Sequence, residues 1–199
     1  PTTNPHYKSL LEATVREVKE LAHQHGDWEV VETSHNFQFS KKHLPSGIMA
    51  AKAELTLPFP PKAVFAFFAD PNFRSKWDPA KDQLVDVVDA RTTVKYRTIP
   101  ARSIIKGRDF AYVAHWTAEE PAYYAVFRSV EHDQYPVNGM YVRMSILGGY
   151  VVTPANEEGT ASTVVFVEWM DAGLMDKITL AVMTNQANSM KKLQVMLQP

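Results

Sequence analysis

Between Arg108 and Met170 the chain contains four long strand-like stretches: Arg108 to Ala118, Tyr123 to Glu131, Met140 to Thr153 and Ser162 to Met170. Only turn signals separate them, at Glu120-Pro121, at Pro136-Val137-Asn138-Gly139 and from Pro154 to Gly159. A parallel pair needs a crossover of roughly a dozen residues or more, so strands joined this tightly run antiparallel. The same grammar holds upstream. Trp28 to Thr33 and Asn36 to Lys42 flank a Ser34-His35 turn, and Ile48 to Leu57 stops at Pro58, Pro60 and Pro61. Gln83 to Asp89 and Thr93 to Ile99 meet around Arg91-Thr92.

Helices frame this sheet. Tyr7, Leu10, Leu11, Thr14, Val18, Leu21 and Ala22 recur at helical spacing and predict a helix over His6 to His25, stopped by Gly26. Pro61 opens a short apolar helix through Phe68, broken at Asp70-Pro71-Asn72, after which Phe73 to Asp78 reads as a short irregular turn of helix. A terminal helix over Asp176 to Leu197 is apolar around much of its girth, which suits burial on two sides or a face turned to a lipid. With no repeat or linker, the 199 residues form one α+β domain: a curved antiparallel sheet, residues 28–170, with a helix at each end.

Composition removes several functions. The chain has no Cys, which excludes a disulfide scaffold, thiolate zinc, iron–sulfur clusters and a Cys nucleophile. Twenty-one basic residues against 22 acidic ones give a net charge of -1, without the basic surplus of a nucleic-acid protein. No apolar run approaches the ~20 residues that cross a bilayer. The expectation is a soluble domain.

Catalytic patterns are lacking. No helical metal-ligand pair, nucleophile elbow or Gly-rich phosphate loop occurs. His132-Asp133 reads as a solvated turn, and Gly148-Gly149 as a bulge or sharp bend within a strand. Asp70, Asp78, Asp109 and Asp171 suit caps and ion pairs better than acid–base roles. The reading is non-enzymatic, with no cofactor and no metal.

Several ordered motifs follow one another from Trp28 to the end. They are Asp70 with Arg74-Ser75-Lys76-Trp77-Asp78, Arg108-Asp109-Phe110, and Ser129 to Asp133 with Pro136. Tyr141-Val142-Arg143, Gly148 to Pro154 and Asp171-Ala172-Gly173 complete the series. Their order and spacing resemble the START domain, the steroidogenic-acute-regulatory-related lipid-transfer family. That resemblance implies a helix-grip fold: a U-shaped sheet closed over the C-terminal helix around an internal hydrophobic tunnel for one lipid. It implies a carrier or sensor that binds a phospholipid, sterol or other single lipid and touches membranes transiently, in the cytoplasm. The alternatives are a ligand-controlled START module of a larger protein and, third, a helix-grip enzyme acting on an apolar substrate.

The resemblance also assigns residues. Arg74 stands where the phosphatidylcholine carrier's Arg holds lipid phosphate, and Asp78 where the aspartate that pairs with that Arg stands; a purely structural ion pair is the other reading. Two choline-cage positions fall on Arg97 and Phe110, and a cation at Arg97 argues against a quaternary ammonium. Strand alternation instead turns Val94 and Tyr96 inward, so pattern and alignment disagree about this strand. The sterol carriers' buried Arg is replaced by Ala114, and the ceramide carriers' Asn by Phe127. With Ala114 and Phe127 inward, alternation puts Phe110, Tyr112, Trp116, Ala125 and Ser129 on the same wall. Met183, Asn185 and Asn188 are the candidate contacts from the terminal helix, the two Asn either hydrogen-bonding a head group or, alternatively, exposed. The family's gate corresponds to Pro100 to Gly107, where Ile104 and Ile105 between Arg102 and Lys106 suit a membrane interface or, alternatively, cap the core.

Overall fold

A computed structural model describes residues 5–69 and 82–197. The elements are α1 (Pro5–His23), β1 (Glu29–Ser34), β2 (Phe37–His43), β3 (Met49–Leu57), α2 (Pro61–Ala69), β4 (Gln83–Asp89), β5 (Thr92–Ile99), β6 (Arg108–Glu119), β7 (Ala122–Val130), β8 (Val142–Arg143), β9 (Ser145–Pro154), β10 (Ser162–Asp171), α3 (Asp176–Ser189) and α4 (Lys191–Met196).

The strands form one sheet in the order β1-β2-β3-β10-β9-β7-β6-β5-β4, with β8 pairing in parallel beside the start of β6. The chain builds β1 to β3, crosses to the far edge at β4 and works back until β10 closes against β3. The curved antiparallel sheet inferred from the turn spacing is therefore present. Asp70-Pro71-Asn72 and Phe73 to Asp78 lie outside the described residues.

Each face of the sheet has its own core. On the outer face, Val18, Leu21 and Ala22 of α1 pack with Val126, Leu147, Val151 and Val167. The inner face is larger. Phe37 and Phe39, Ala51 to Leu57, Phe110, Tyr112, Tyr150 and Phe166 meet Val64, Phe65 and Phe68 of α2 and Met183 and Ala187 of α3. Two helices thus share the inner face: α2 lies over β7, β9 and β10, and α3 over β3 and β2.

Three expectations are corrected. The helix predicted from Asp176 to Leu197 is divided at Met190. Ser189 Oγ donates to the Gln186 carbonyl at 2.5 Å, while the Met190 amide bonds Ala187 instead, so a hydroxyl competes for the acceptor that continues the helix. The buried stripe Met183, Ala187, Met190, Leu193 runs straight through the break, while Ala181 and Val195 are exposed. Burial is one-sided, not all round. The strand expected from Met140 to Thr153 is two strands, because β8 turns aside to β6 and Arg143 binds Asp109 there. Finally, Gly148-Gly149 is no bulge: β9 keeps continuous register with both β10 and β7 through it. These glycines serve close packing instead. A Cβ at Gly148 would lie 2.6 Å from the Val167 carbonyl oxygen, and one at Gly149 2.8 Å from that of Ala125.

Candidate functional site

Strand register builds the inner wall. Tyr112 faces Ser129 across the β6–β7 ladder, Ala114 faces Phe127, and Trp116 faces Ala125, so all six share one side as alternation predicts. Aromatic contacts tie the wall to α2. Phe65 stands edge-on to Trp116 at 6.1 Å and stacks on Tyr123 at 5.2 Å, and Phe68 stacks on Tyr150 at 4.3 Å. Phe110 and Tyr112 lie 5.5 Å apart, and Tyr112 meets Phe127 edge-on at 6.4 Å. Between α2 and this wall lies a cavity of about 140 Å³, bordered by Phe68, Thr93, Lys95, Ala114, Trp116, Ala125 and Phe127. Arg91 and His115 border it as well, so the lining joins an apolar side made by Phe68, Ala114, Trp116, Ala125 and Phe127 to a polar one made by Arg91, Thr93, Lys95 and His115.

Arg97 belongs to the same face. It opposes Phe110 in the β5–β6 register, and its guanidinium sits 5.8 Å from the Phe110 ring centroid and 5.9 Å from that of Tyr112. It donates to both carboxylate oxygens of Asp82, at 2.6 and 3.0 Å, and Tyr112 Oη donates to Asp82 at 2.6 Å. The family alignment, not the alternation, therefore orients β5. Val94 is fully buried but on the opposite face, because both faces of this strand are covered. There Tyr96 stacks on Tyr135 at 3.9 Å and donates to Asp109 at 2.8 Å, while Arg143 binds both Asp109 oxygens. Burial opposes ionisation of Asp109, but the bonds from Arg143 and Tyr96 outweigh it and hold the pKa below the usual carboxylate range. Burial, reinforced by the bond to Asp109, lifts Tyr96 to about 12. Asp109 thus serves as an ion-pair partner.

The remaining assignments divide. Met183 is fully buried against the sheet. Ser129 spends its hydroxyl on the Ile146 backbone, donating to the carbonyl at 3.2 Å and accepting from the amide at 3.0 Å, so it fastens β7 to β9. Asn185 is exposed, on the side of α3 opposite the buried Met183–Ala187 stripe, and is not part of the wall. Asn188 is half-buried, with a buried Oδ1 that has no hydrogen-bond partner. Arg74 and Asp78 lie outside the described residues. Asp82 and Glu168 went unnoticed in the sequence. For Glu168 a signal existed, since alternation along β10 groups it with the inner-face Val164, Phe166 and Met170.

At the end of the sheet where β5 stops and β6 starts, Ile104 is 97% exposed and Ile105 half-buried. Ile104 does not cap the core. Backbone bonds between Arg102 and Ile105, at 2.9 and 3.0 Å, close the loop tightly around Ser103, whose φ is +53°. Arg108 then clasps the loop to the lead of α3: its guanidinium donates to the carbonyls of Lys106, Ala172 (3.1 Å) and Gly173 (3.3 Å).

A curved antiparallel sheet with helices packed on its inner face and an apolar wall beneath them defines the helix-grip class. The START domain model matches residues 9–173, and the chain belongs to that family. Human StAR-related lipid transfer protein 5 superposes with a TM-score of 0.78 at 16% identity, over 96% of this chain and 95% of that one. Human STARD10 gives 0.73 at 16% identity over 92% and 77%. The lipid transfer and protein localization domain of human StarD13 gives 0.68 at 20% identity over the full length of both. At these identities the likeness is one of fold. Comparison with curated proteins finds no match. No helix among the described residues is long and apolar enough to cross a membrane.

Proposed function

We propose that this chain binds one lipid between the sheet and the helices α2 and α3, and transfers it between membranes or senses it. The observation that carries this reading is the inner wall itself: Phe110, Tyr112, Ala114, Trp116, Ala125 and Phe127 share one face, and a cavity opens between it and α2. The cavity is smaller than the ~300 Å³ of a small ligand pocket, so binding a lipid requires the helices to move outward from the wall.

The polar equipment narrows the passenger. The face of Phe110 that a quaternary ammonium would use is occupied by Arg97, whose charge is paired with Asp82. Choline recognition is accordingly not the reading supported. A largely apolar lipid with a small polar group fits better.

Entry runs through the loop from Pro100 to Gly107. An isoleucine standing free between Arg102 and Lys106 suits shallow insertion into an anionic interface, the lead of α3 moving with the loop through Arg108. The test is lipid transfer between donor and acceptor vesicles by the purified chain. Transfer proportional to protein concentration supports the reading; no transfer and no lipid retained after incubation with mixed-lipid vesicles contradicts it.

A further inference from the structure

Glu168 is an ionisable side chain that the wall described above leaves unused. It lies on β10 and is completely buried. The sheet register places it between Gly148 on β9 and Ala51 on β3, so neither cross-strand neighbour offers its carboxyl a polar side chain. A Cβ at position 148 would stand 2.7 Å from Glu168 Cβ and 2.7 Å from Phe127 Cζ, so the absence of a side chain there lets the Phe127 ring pack beside Glu168. The same ring borders the 140 Å³ cavity. Glu168 is thus one aromatic ring away from the space assigned to the lipid.

From α3, the Gln186 amide lies against the Glu168 carboxyl. With Glu168 ionised, the Gln186 nitrogen faces the carboxylate and donates to Oε2 at 3.2 Å and also to Oε1; with Glu168 protonated, the amide oxygen can instead face the acid and accept its O–H. Arg97 acts on the carboxyl from a distance, but is itself bound to Asp82 through both oxygens. Burial therefore dominates and pushes the Glu168 pKa up to about 8, with Arg97 opposing, so the group is mostly a neutral acid at pH 7. A neutral carboxylic acid offers one O–H donor and free acceptor capacity, and the adjoining amide offers both again.

We propose that Glu168, with Gln186 above it, recognises the polar end of the ligand, and that this end is a hydroxyl group on an otherwise apolar lipid. The proposal rests on the lipid-binding reading and adds the specificity to it. A hydroxyl both donates and accepts, which the acid–amide pair can answer in full. Among the described residues the cation acting on Glu168 is Arg97, which is bound to Asp82, and a phosphate or carboxylate would face a second anion whenever Glu168 ionises. A purely apolar end would leave the pair unused, although a buried polar group is costly where an aliphatic side chain would fit. If the pair were only a latch between β10 and α3, its removal would lower stability without changing ligand choice.

The experiment measures that choice. Purified full-length chain is loaded with the fluorescent probe anilinonaphthalene sulfonate, which is then displaced by matched lipids: cholesterol against cholestane, and dioleoylglycerol against its acetyl ester. The expected result is that the hydroxyl member of at least one pair binds about tenfold tighter to the wild-type chain. In Glu168→Leu that ratio falls toward one while the hydroxyl-free partner changes little; Glu168→Gln, which keeps hydrogen-bonding capacity, retains most of it. An unchanged ratio in Glu168→Leu, or no preference in the wild type, overturns the proposal and leaves lipid binding standing. Should Glu168→Leu not fold, Gln186→Leu carries the same comparison, with loss of the ratio supporting the proposal and its persistence opposing it. Failure of every lipid to displace the probe from the wild-type chain would instead sink the lipid-binding reading itself.

Discussion

An ordinary glutamate titrates at 4.5, whereas Glu168 in the folded chain titrates at about 8. Between those values the folded protein holds a proton that the unfolded chain has released. More protons bound to the folded state means that stability falls as pH rises through this window and levels off above it. Glu168→Gln removes the titration, so the variant matches the wild type near pH 4.5 and exceeds it at pH 8, by on the order of 1–4 kcal/mol. Urea unfolding at several pH values checks this; parallel stability curves for the two proteins would refute it. Arg97 shows why single residues were only partly legible. Its inward orientation came from family alignment, while its partner stayed hidden. Counting outward from the Asp89–Thr92 pair would set Asp82 opposite Ile99, but two register irregularities in β4 bring it beside Arg97. No periodicity announces a bulge on an edge strand.

Elements were read more securely, because alternation and turn chemistry are local. The order of helices and strands follows from the sequence, and errors cluster where a side chain overrides the pattern. Ser189 divides the terminal helix, and the Arg143–Asp109 pair diverts β8. Arg108 illustrates a function visible only in three dimensions. Its carbonyl partners at Lys106, Ala172 and Gly173 join the β5–β6 loop to the lead of α3, so the proposed opening of one segment would draw on the other. Arg108→Ala is expected to release that coupling and to lower stability by about 1–3 kcal/mol, since buried carbonyls lose a charged donor. Lipid off-rates from the preloaded protein should rise several-fold. An off-rate equal to wild type, in a variant shown to be folded, would mean that the clasp does not restrain the gate.

At the scale of the whole molecule, the apolar residues divide between two cores and a wall. The α1 side closes the outer face, and the inner face keeps space beneath α2. Ile104 projects from the end of the sheet where Arg108 ties loop and helix together. Replacing Ile104 and Ile105 together by Ser should slow vesicle-to-vesicle transfer about tenfold while leaving equilibrium lipid binding largely intact, because only the membrane step loses apolar contact. Equal transfer rates for this variant and the wild type would remove the loop from the exchange pathway.

The central claim is that the space between wall and helices holds a lipid. Native mass spectrometry after equilibration with mixed-lipid vesicles measures this directly, for the wild-type chain and for Ala114→Trp, whose added ring fills the cavity that Ala114 borders. One lipid per wild-type chain, and a clear loss of that mass from folded Ala114→Trp, is the expected result. A wild-type chain that carries no lipid, or a folded Ala114→Trp that carries as much, would contradict it.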